Sequence, residues 1–247
     1  MRLRRIMLLS AVVLMLICCF FLPNAVAGFT DMSTLDNYIM IDSESVSFDF
    51  EPELSLSERI SLVANQKTEI LTLKSGQVMN YETAGGRAAQ ELLRFFRGSS
   101  FAFDFNRHVV ENGAASFIYV TGDPSVSMII WEFYLVDPFG NAATITIDDE
   151  TGVMLKLIYT QGSLNLGLFG PADANNTEPS DEELNVAAIR LVEMMATYYG
   201  QPVIIGDYQY SVSRSLGYYR ADLSEGGVTV PMYGVVRESS FTMNERV

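Results

Sequence analysis

The chain has 247 residues, 49 % of them hydrophobic, and carries 30 Asp and Glu against 16 Lys and Arg, a formal net charge of −14. A surface of that sign repels phosphate backbones and anionic lipid, and beyond the N-terminus the basic residues form no run, which argues against nucleic-acid binding. With one histidine, a multi-histidine metal centre is excluded, and 49 % hydrophobic residues suffice for a sizeable core.

The N-terminus begins with Arg2, Arg4 and Arg5, continues with 17 uncharged and nearly all apolar residues over 6–22, and ends in Pro23-Asn24-Ala25-Val26-Ala27. A basic part, a hydrophobic part and a small-x-small site in that order have the form of a bacterial-type export signal. Two readings follow for residues 1–27. Cleavage between Ala27 and Gly28, with Ala25 and Ala27 as the small side chains, releases residues 28–247, and Pro23 favours it by breaking the helix. Retention leaves 6–22 as an anchor in the cytoplasmic membrane, its only membrane contact. Both readings put the body outside the cytoplasm, secreted or extracytoplasmic, with the arginines on the cytoplasmic side.

Cys18 and Cys19 both lie in this segment, so residues 28–247 hold no cysteine, which excludes structural disulfides, thiolate catalysis and cysteine-ligated zinc there. The segment also takes three of the 16 basic residues and no acid, leaving 13 basic against 30 acidic groups, a net −17.

Residues 29–50 mix acids and serines with the alternation Val46, Phe48, Phe50 and predict an extended lead-in. Ser55-Leu56-Ser57-Glu58 has capping-box spacing and predicts a helix over 56–65. Alternation over 69–74 predicts a short strand turning at Ser75-Gly76. Ala88, Ala89, Leu92, Leu93, Phe95 and Phe96 recur at helical spacing and predict a second helix that stops at Gly98.

After a loop over 104–113, four strands are predicted over 116–121, 126–136, 142–147 and 153–160, separated by Gly122-Asp123-Pro124-Ser125, Asp137-Pro138-Phe139-Gly140 and Asp148-Asp149-Glu150-Thr151-Gly152. Such short connections make an antiparallel meander. Ile129, Trp131, Phe133 and Leu135 share one face with Ala143, Ile145 and Ile147, and the Phe95-Phe96 helix is expected to cover them. The opposite residues Ala142, Thr144, Thr146 and Asp148 are expected to be solvated.

Gly, Asn and Pro over 162–180 predict a linker or long loop. Ser180-Asp181-Glu182-Glu183 is a second capping box, opening a helix with Leu184, Ala188, Leu191, Met195 and Tyr198 on one stripe and Gly200 and Pro202 at its end. Strands follow over 208–213, 216–223, 228–236 and 240–243. The predicted fold class is α+β, helices packed on antiparallel meanders, as two similar helix-plus-meander units over 28–161 and 181–247.

No catalytic motif accompanies these elements. His108 lies in a loop beside Arg107, no Gly-x-Ser-x-Gly elbow is present, and no serine stands three residues before Lys67, Lys74 or Lys156. Ala84-Gly85-Gly86-Arg87 lacks the lysine of a phosphate loop and is expected to be a loop before a helix. Glu132, set among Ile130, Trp131, Phe133 and Tyr134, is the one candidate acid: it either has a raised pKa and serves as an acid or points to solvent opposite Trp131, and alternation favours solvent. Asp173 and Asp148-Asp149-Glu150 lack the spacing of a dedicated calcium loop. No cofactor and no metal site is predicted.

Trp131-Glu132-Phe133-Tyr134, a turn, and then Ile145 to Leu155 with Asp148-Asp149-Glu150-Thr151-Gly152 resemble the end of a PepSY-type module, in which a strand ends in an acidic Thr-Gly turn before an apolar strand. With the export segment and the Leu56-Ser57-Glu58-Arg59-Ile60 helix, the chain is similar to exported proteins of spore-forming Gram-positive bacteria that carry such regions. The resemblance spans 88–161 and implies a non-catalytic envelope module, in that family thought to bind or restrain other proteins such as peptidases. It carries over no functional residue. The expectation is a non-enzymatic, extracytoplasmic protein that binds another envelope protein or peptide. The alternatives are a carboxylate-dependent hydrolase and a small-ligand carrier with its site between the two units.

Overall fold

The computed structural model describes residues 54–65, 67–99, 103–162 and 179–245. All fall in one compact unit, Met40–Val247; the other, Met1–Ile39, lies wholly outside the described residues, as do Ala25, Ala27 and Gly28, the lead-in over 29–50 and residues 163–178 of the predicted linker. Among the described residues no helix is long and apolar enough to cross a membrane.

Among the described residues nine strands form a single sheet: β1 (Thr68–Leu73), β2 (Val109–Val120), β3 (Asp123–Val136), β4 (Ala142–Asp148), β5 (Met154–Thr160), β6 (Val203–Ser211), β7 (Leu216–Glu225), β8 (Val228–Val236) and β9 (Ser240–Met243). Their order is β1-β2-β3-β4-β5-β9-β8-β7-β6, and every neighbouring pair is antiparallel. The two predicted meanders are therefore joined by their last strands, with Leu157 opposite Met243 and Thr160 opposite Ser240. One apolar cluster runs across both, from Trp131 and Ile145 to Tyr219 and Met232.

Among the described residues three α-helices accompany the sheet: α1 (Leu56–Ala64), α2 (Tyr81–Phe95) and α3 (Asp181–Tyr199). Both expected capping boxes form: Ser55 Oγ accepts from Glu58 N and Ser180 Oγ from Glu183 N, each at 3.3 Å, and the glutamates accept in return from Ser55 N and Ser180 N. These bonds satisfy N–H groups that a helix start leaves without partners; the Ser55 hydroxyl and N–H, and the Ser180 N–H and hydroxyl, donate to Glu58 and Glu183 and hold both carboxyls below their ordinary pKa. Gly200 ends α3 in the left-handed region at φ 64°. The predicted stripe Leu184, Ala188, Leu191, Met195 and Tyr198 is buried.

Several boundaries differ from the sequence expectation. The second helix starts at Tyr81, so Ala84-Gly85-Gly86-Arg87 lies inside it rather than before it. An Asn80–Thr83 box, with Thr83 in place of the usual Glu, caps it, and Gly85 brings the helix against the Phe133 ring. Strand β2 starts at Val109, not 116, although Asn112 and Gly113 read as loop residues.

Gly113 stands opposite Phe133, and a Cβ on it would lie 2.3 Å from that ring; the absent side chain lets Phe133 lie over the β2 backbone and meet Tyr81 edge-on at 5.6 Å. Gly113→Ala is expected to cost about 1–3 kcal/mol in urea denaturation, because Phe133 must leave its rotamer or the strands must part. The first hairpin is tighter than expected, with Val120 opposite Asp123, and β6 starts at Val203 instead of 208.

One face of the sheet is covered. Trp131, Phe133, Leu135, Ala143, Ile145 and Ile147 are buried there, with Tyr81 of α2 edge-on to Trp131 at 6.3 Å, as the alternation predicts. The apolar residues of α3 join the same cluster. Helix α1 lies at the strand ends: Ser57 N donates to Glu225 beside the β7–β8 turn, and Asn244 Nδ2 donates to both Ile60 O and Leu155 O. On the other face Glu132, Gln209, Tyr218 and Tyr233 are exposed, whereas Ile118, Met128 and Thr146 are buried.

Candidate functional site

One run of three acids, Asp148-Asp149-Glu150, is built into the scaffold. Asp149 is buried and accepts from Gln77 N and Val78 N at 2.8 Å, Met79 N at 3.1 Å and Trp131 Nε1 at 2.7 Å. Three successive backbone N–H groups and an indole thus neutralise one carboxylate and tie the approach to α2 to the β4–β5 turn. Asp148 is salt-bridged to Arg59 at 2.7 Å and accepts from Thr151 N, while Glu150, exposed, takes the other arm of Arg59 at 2.5 Å. Asp148 and Thr146, expected in solvent, are each only 1 % exposed; for Asp148 the cause is this arginine, 89 positions away, which no local alternation contains.

Glu91 of α2 is held in the same way. It accepts from Tyr198 Oη of α3 at 2.5 Å and faces Arg87 at 2.9 Å, while Met154 N donates to Tyr198 Oη. Burial and the Glu91 carboxylate push the Tyr198 hydroxyl well above the usual tyrosine range. Asp137 accepts from Asp104 N, Phe139 N, Asn141 N and Asn141 Nδ2 and closes the β3–β4 turn. These acids have their partners inside the protein and hold the covered side together.

The sequence candidates fall elsewhere. Glu132 is exposed on the open face, opposite Trp131, where it accepts from Thr146 Oγ1 at 3.4 Å and borders a shallow depression with Asn112, Tyr134 and Thr144. His108 is half-buried, donates through Nδ1 to Phe105 O at 2.9 Å and lies beside the Phe103 ring. The structure does not bring the two together. Among the described residues no group of three or more His, Cys, Asp or Glu is placed to hold a metal ion.

A larger concavity, of about 540 Å³, lies on the second half of the sheet and is lined by Asp207 and Gln209 of β6, Tyr218 and Arg220 of β7, Tyr233 of β8, and Arg237 and Glu245 beyond it. Register assembles it, since Arg220 stands between Asp207 and Tyr233, and Tyr218 between Gln209 and Val235. Tyr218, Arg220 and Asp222 alternate with the buried Tyr219, Ala221 and Leu223, so the open side of β7 is legible as a period of two. Its neighbours on β6 and β8 are not.

Tyr218 and Tyr233 are 40 % and 36 % exposed, and Arg214 Nη1 donates to Tyr218 Oη at 3.2 Å. Arg220 Nη2 donates to Asp222 Oδ2 at 2.8 Å, which with the Asp222 charge raises the Arg220 pKa above its ordinary value. Large amphipathic rings and fork-shaped cations on a fixed sheet offer stacking area and directional donors at small entropic cost. Such an arrangement can stack against a bound group and donate hydrogen bonds to it.

The fold and this surface define an α+β protein with an antiparallel sheet, one face covered by helices and the other exposing tyrosines and arginines over β6 to β8. No family model, curated protein or solved structure matches the chain.

Proposed function

We propose that the protein works outside the cytoplasm as a non-enzymatic binding or regulatory protein, and that the open face of β6, β7 and β8 is the surface that recognises another envelope protein or peptide. The observation that carries this reading is the concavity of about 540 Å³ in which Tyr218, Tyr233, Arg220 and Arg237 converge. Tyrosine and arginine are the residue types that dominate the energetics of protein interfaces. The extracytoplasmic place rests on the order of residues 1–27, basic, apolar and then small-x-small.

The finer architecture belongs to the same reading. Each half sets one helix before four antiparallel strands, α2 before β2 to β5 and α3 before β6 to β9, and the halves meet last strand to last strand. We read them as two similar units, of which the second carries the recognition surface.

Site-specific photocrosslinking in the producing cell tests the proposal. A crosslinker at Tyr218 is expected to capture a discrete partner that is lost when Tyr233→Ala is added and is not captured from the exposed Val78. Capture of the same species from both positions, or of none from Tyr218, would count against it.

A further inference from the structure

Arg220 sits on a floor made for it. The register of β6 against β7 shifts between Ile205 and Asp207, at Gly206, where a Cβ would lie 2.9 Å from Arg220 Nε and 2.5 Å from Asp222 Oδ2. The missing side chain gives the guanidinium and its carboxylate partner room against the β6 backbone. Asp222, with 15 % of its side chain exposed, engages Nη2, whereas Arg220 Nε is buried without a hydrogen-bond partner. The acids that share the cavity have internal donors: Asp207 accepts from Tyr208 N and Gln209 Nε2, and Glu245 from Thr242 Oγ1. Arg237 adds a second guanidinium to the lining.

From this arrangement we infer that the cavity binds a peptide segment presenting a single carboxylate next to an aromatic or apolar side chain, with the carboxylate on Arg220 and Arg237 and the neighbouring side chain against Tyr218 and Tyr233. The inference rests on the open face being the recognition surface. Two arginines suit one carboxylate, whose oxygens accept two parallel N–H bonds from a guanidinium fork. A dense polyanion is disfavoured, because Asp207, Asp222 and Glu245 surround those arginines on a chain of net charge −14.

Titration calorimetry of the full-length protein with the probe acetyl-Phe-Glu-Phe-amide and its Gln analogue tests this without any substitution. The Glu peptide is expected to bind about tenfold more tightly, the factor that one charged hydrogen-bonded contact carries. Arg220→Gln is expected to erase that preference, as is Gly206→Val, which fills the space under the guanidinium, while Glu132→Gln leaves it unchanged. Equal binding of the two peptides, binding of neither, or a preference for inorganic polyphosphate over the Glu peptide overturns the inference. If the peptides fail while the crosslink at Tyr218 still depends on Tyr233, the carboxylate specificity falls and the recognition surface stands; if both fail, both fall.

Discussion

Asp149→Ala is expected to lower the free energy of unfolding by about 3–4 kcal/mol, a large share of the stability of a domain of this size. The carboxylate satisfies four donors at once, three backbone N–H groups over 77–79 and the Trp131 indole. Its removal leaves the indole N–H buried without an acceptor and frees the segment that leads into α2. Gly76 packs so closely on this carboxylate that a Cβ there would lie 2.0 Å from Asp149 Oδ1, so the loop closes directly on the acid. Trp131 is the only tryptophan in the chain, which makes its fluorescence in urea a direct probe. The variant is expected to unfold at lower urea and to show a shifted emission already in the folded state. A loss below about 1 kcal/mol would mean that water reaches these donors.

Arg59→Met is expected to cost about 3–5 kcal/mol, because it strands the Asp148 carboxylate where only 1 % of its side chain meets solvent. Burial works to lower the Arg59 pKa, but the hydrogen bond to Glu150 and the charges of Asp148 and Glu150 outweigh it and hold the guanidinium above its ordinary value. The pair is a constraint more than a source of stability, since two charges taken out of water recover little beyond their desolvation cost. The double variant Arg59→Met with Asp148→Asn is therefore expected to return to within about 1–2 kcal/mol of the parent, because the introduced amide oxygen still accepts from Thr151 N. Glu150→Gln is expected to cost less than about 1 kcal/mol, because that partner is 56 % exposed. A double-mutant cycle in urea measures the coupling, and additive losses would place the effect of Arg59 in its packing instead.

The parts of the fold legible in the residues are those whose cause is local. Ser55 with Glu58 and Ser180 with Glu183 announce helix starts because both partners of the capping box lie within one turn. Alternation from Ile129 to Leu135 announces the covered face because successive strand residues point to opposite sides. Where local chemistry is ambiguous, the reading misses. Asn80 with Thr83 caps α2 without the usual glutamate, and Gly85-Gly86 imitates a loop inside a helix. Gly113 imitates a turn inside β2 because the reason for it, the Phe133 ring, belongs to another strand.

The acidic Thr-Gly turn was conspicuous in the sequence, yet its partners Arg59 and Gln77 to Met79 come from distant segments, so its structural part could not be read locally. The cavity on β6 to β8 is less legible still. Tyr218, Arg220 and Tyr233 become neighbours through the registers of β6, β7 and β8, and Arg220 gains its place from a glycine at a register shift. Composition, caps and alternation settle an acidic α+β chain of helices and antiparallel strands, because those depend on backbone geometry over a few residues. The joining of β5 to β9, the burial of Asp148 and the convergence of tyrosines and arginines depend on pairings between residues up to 89 positions apart. Such pairings are selected by the packing of the whole core, which no short stretch of chain encodes.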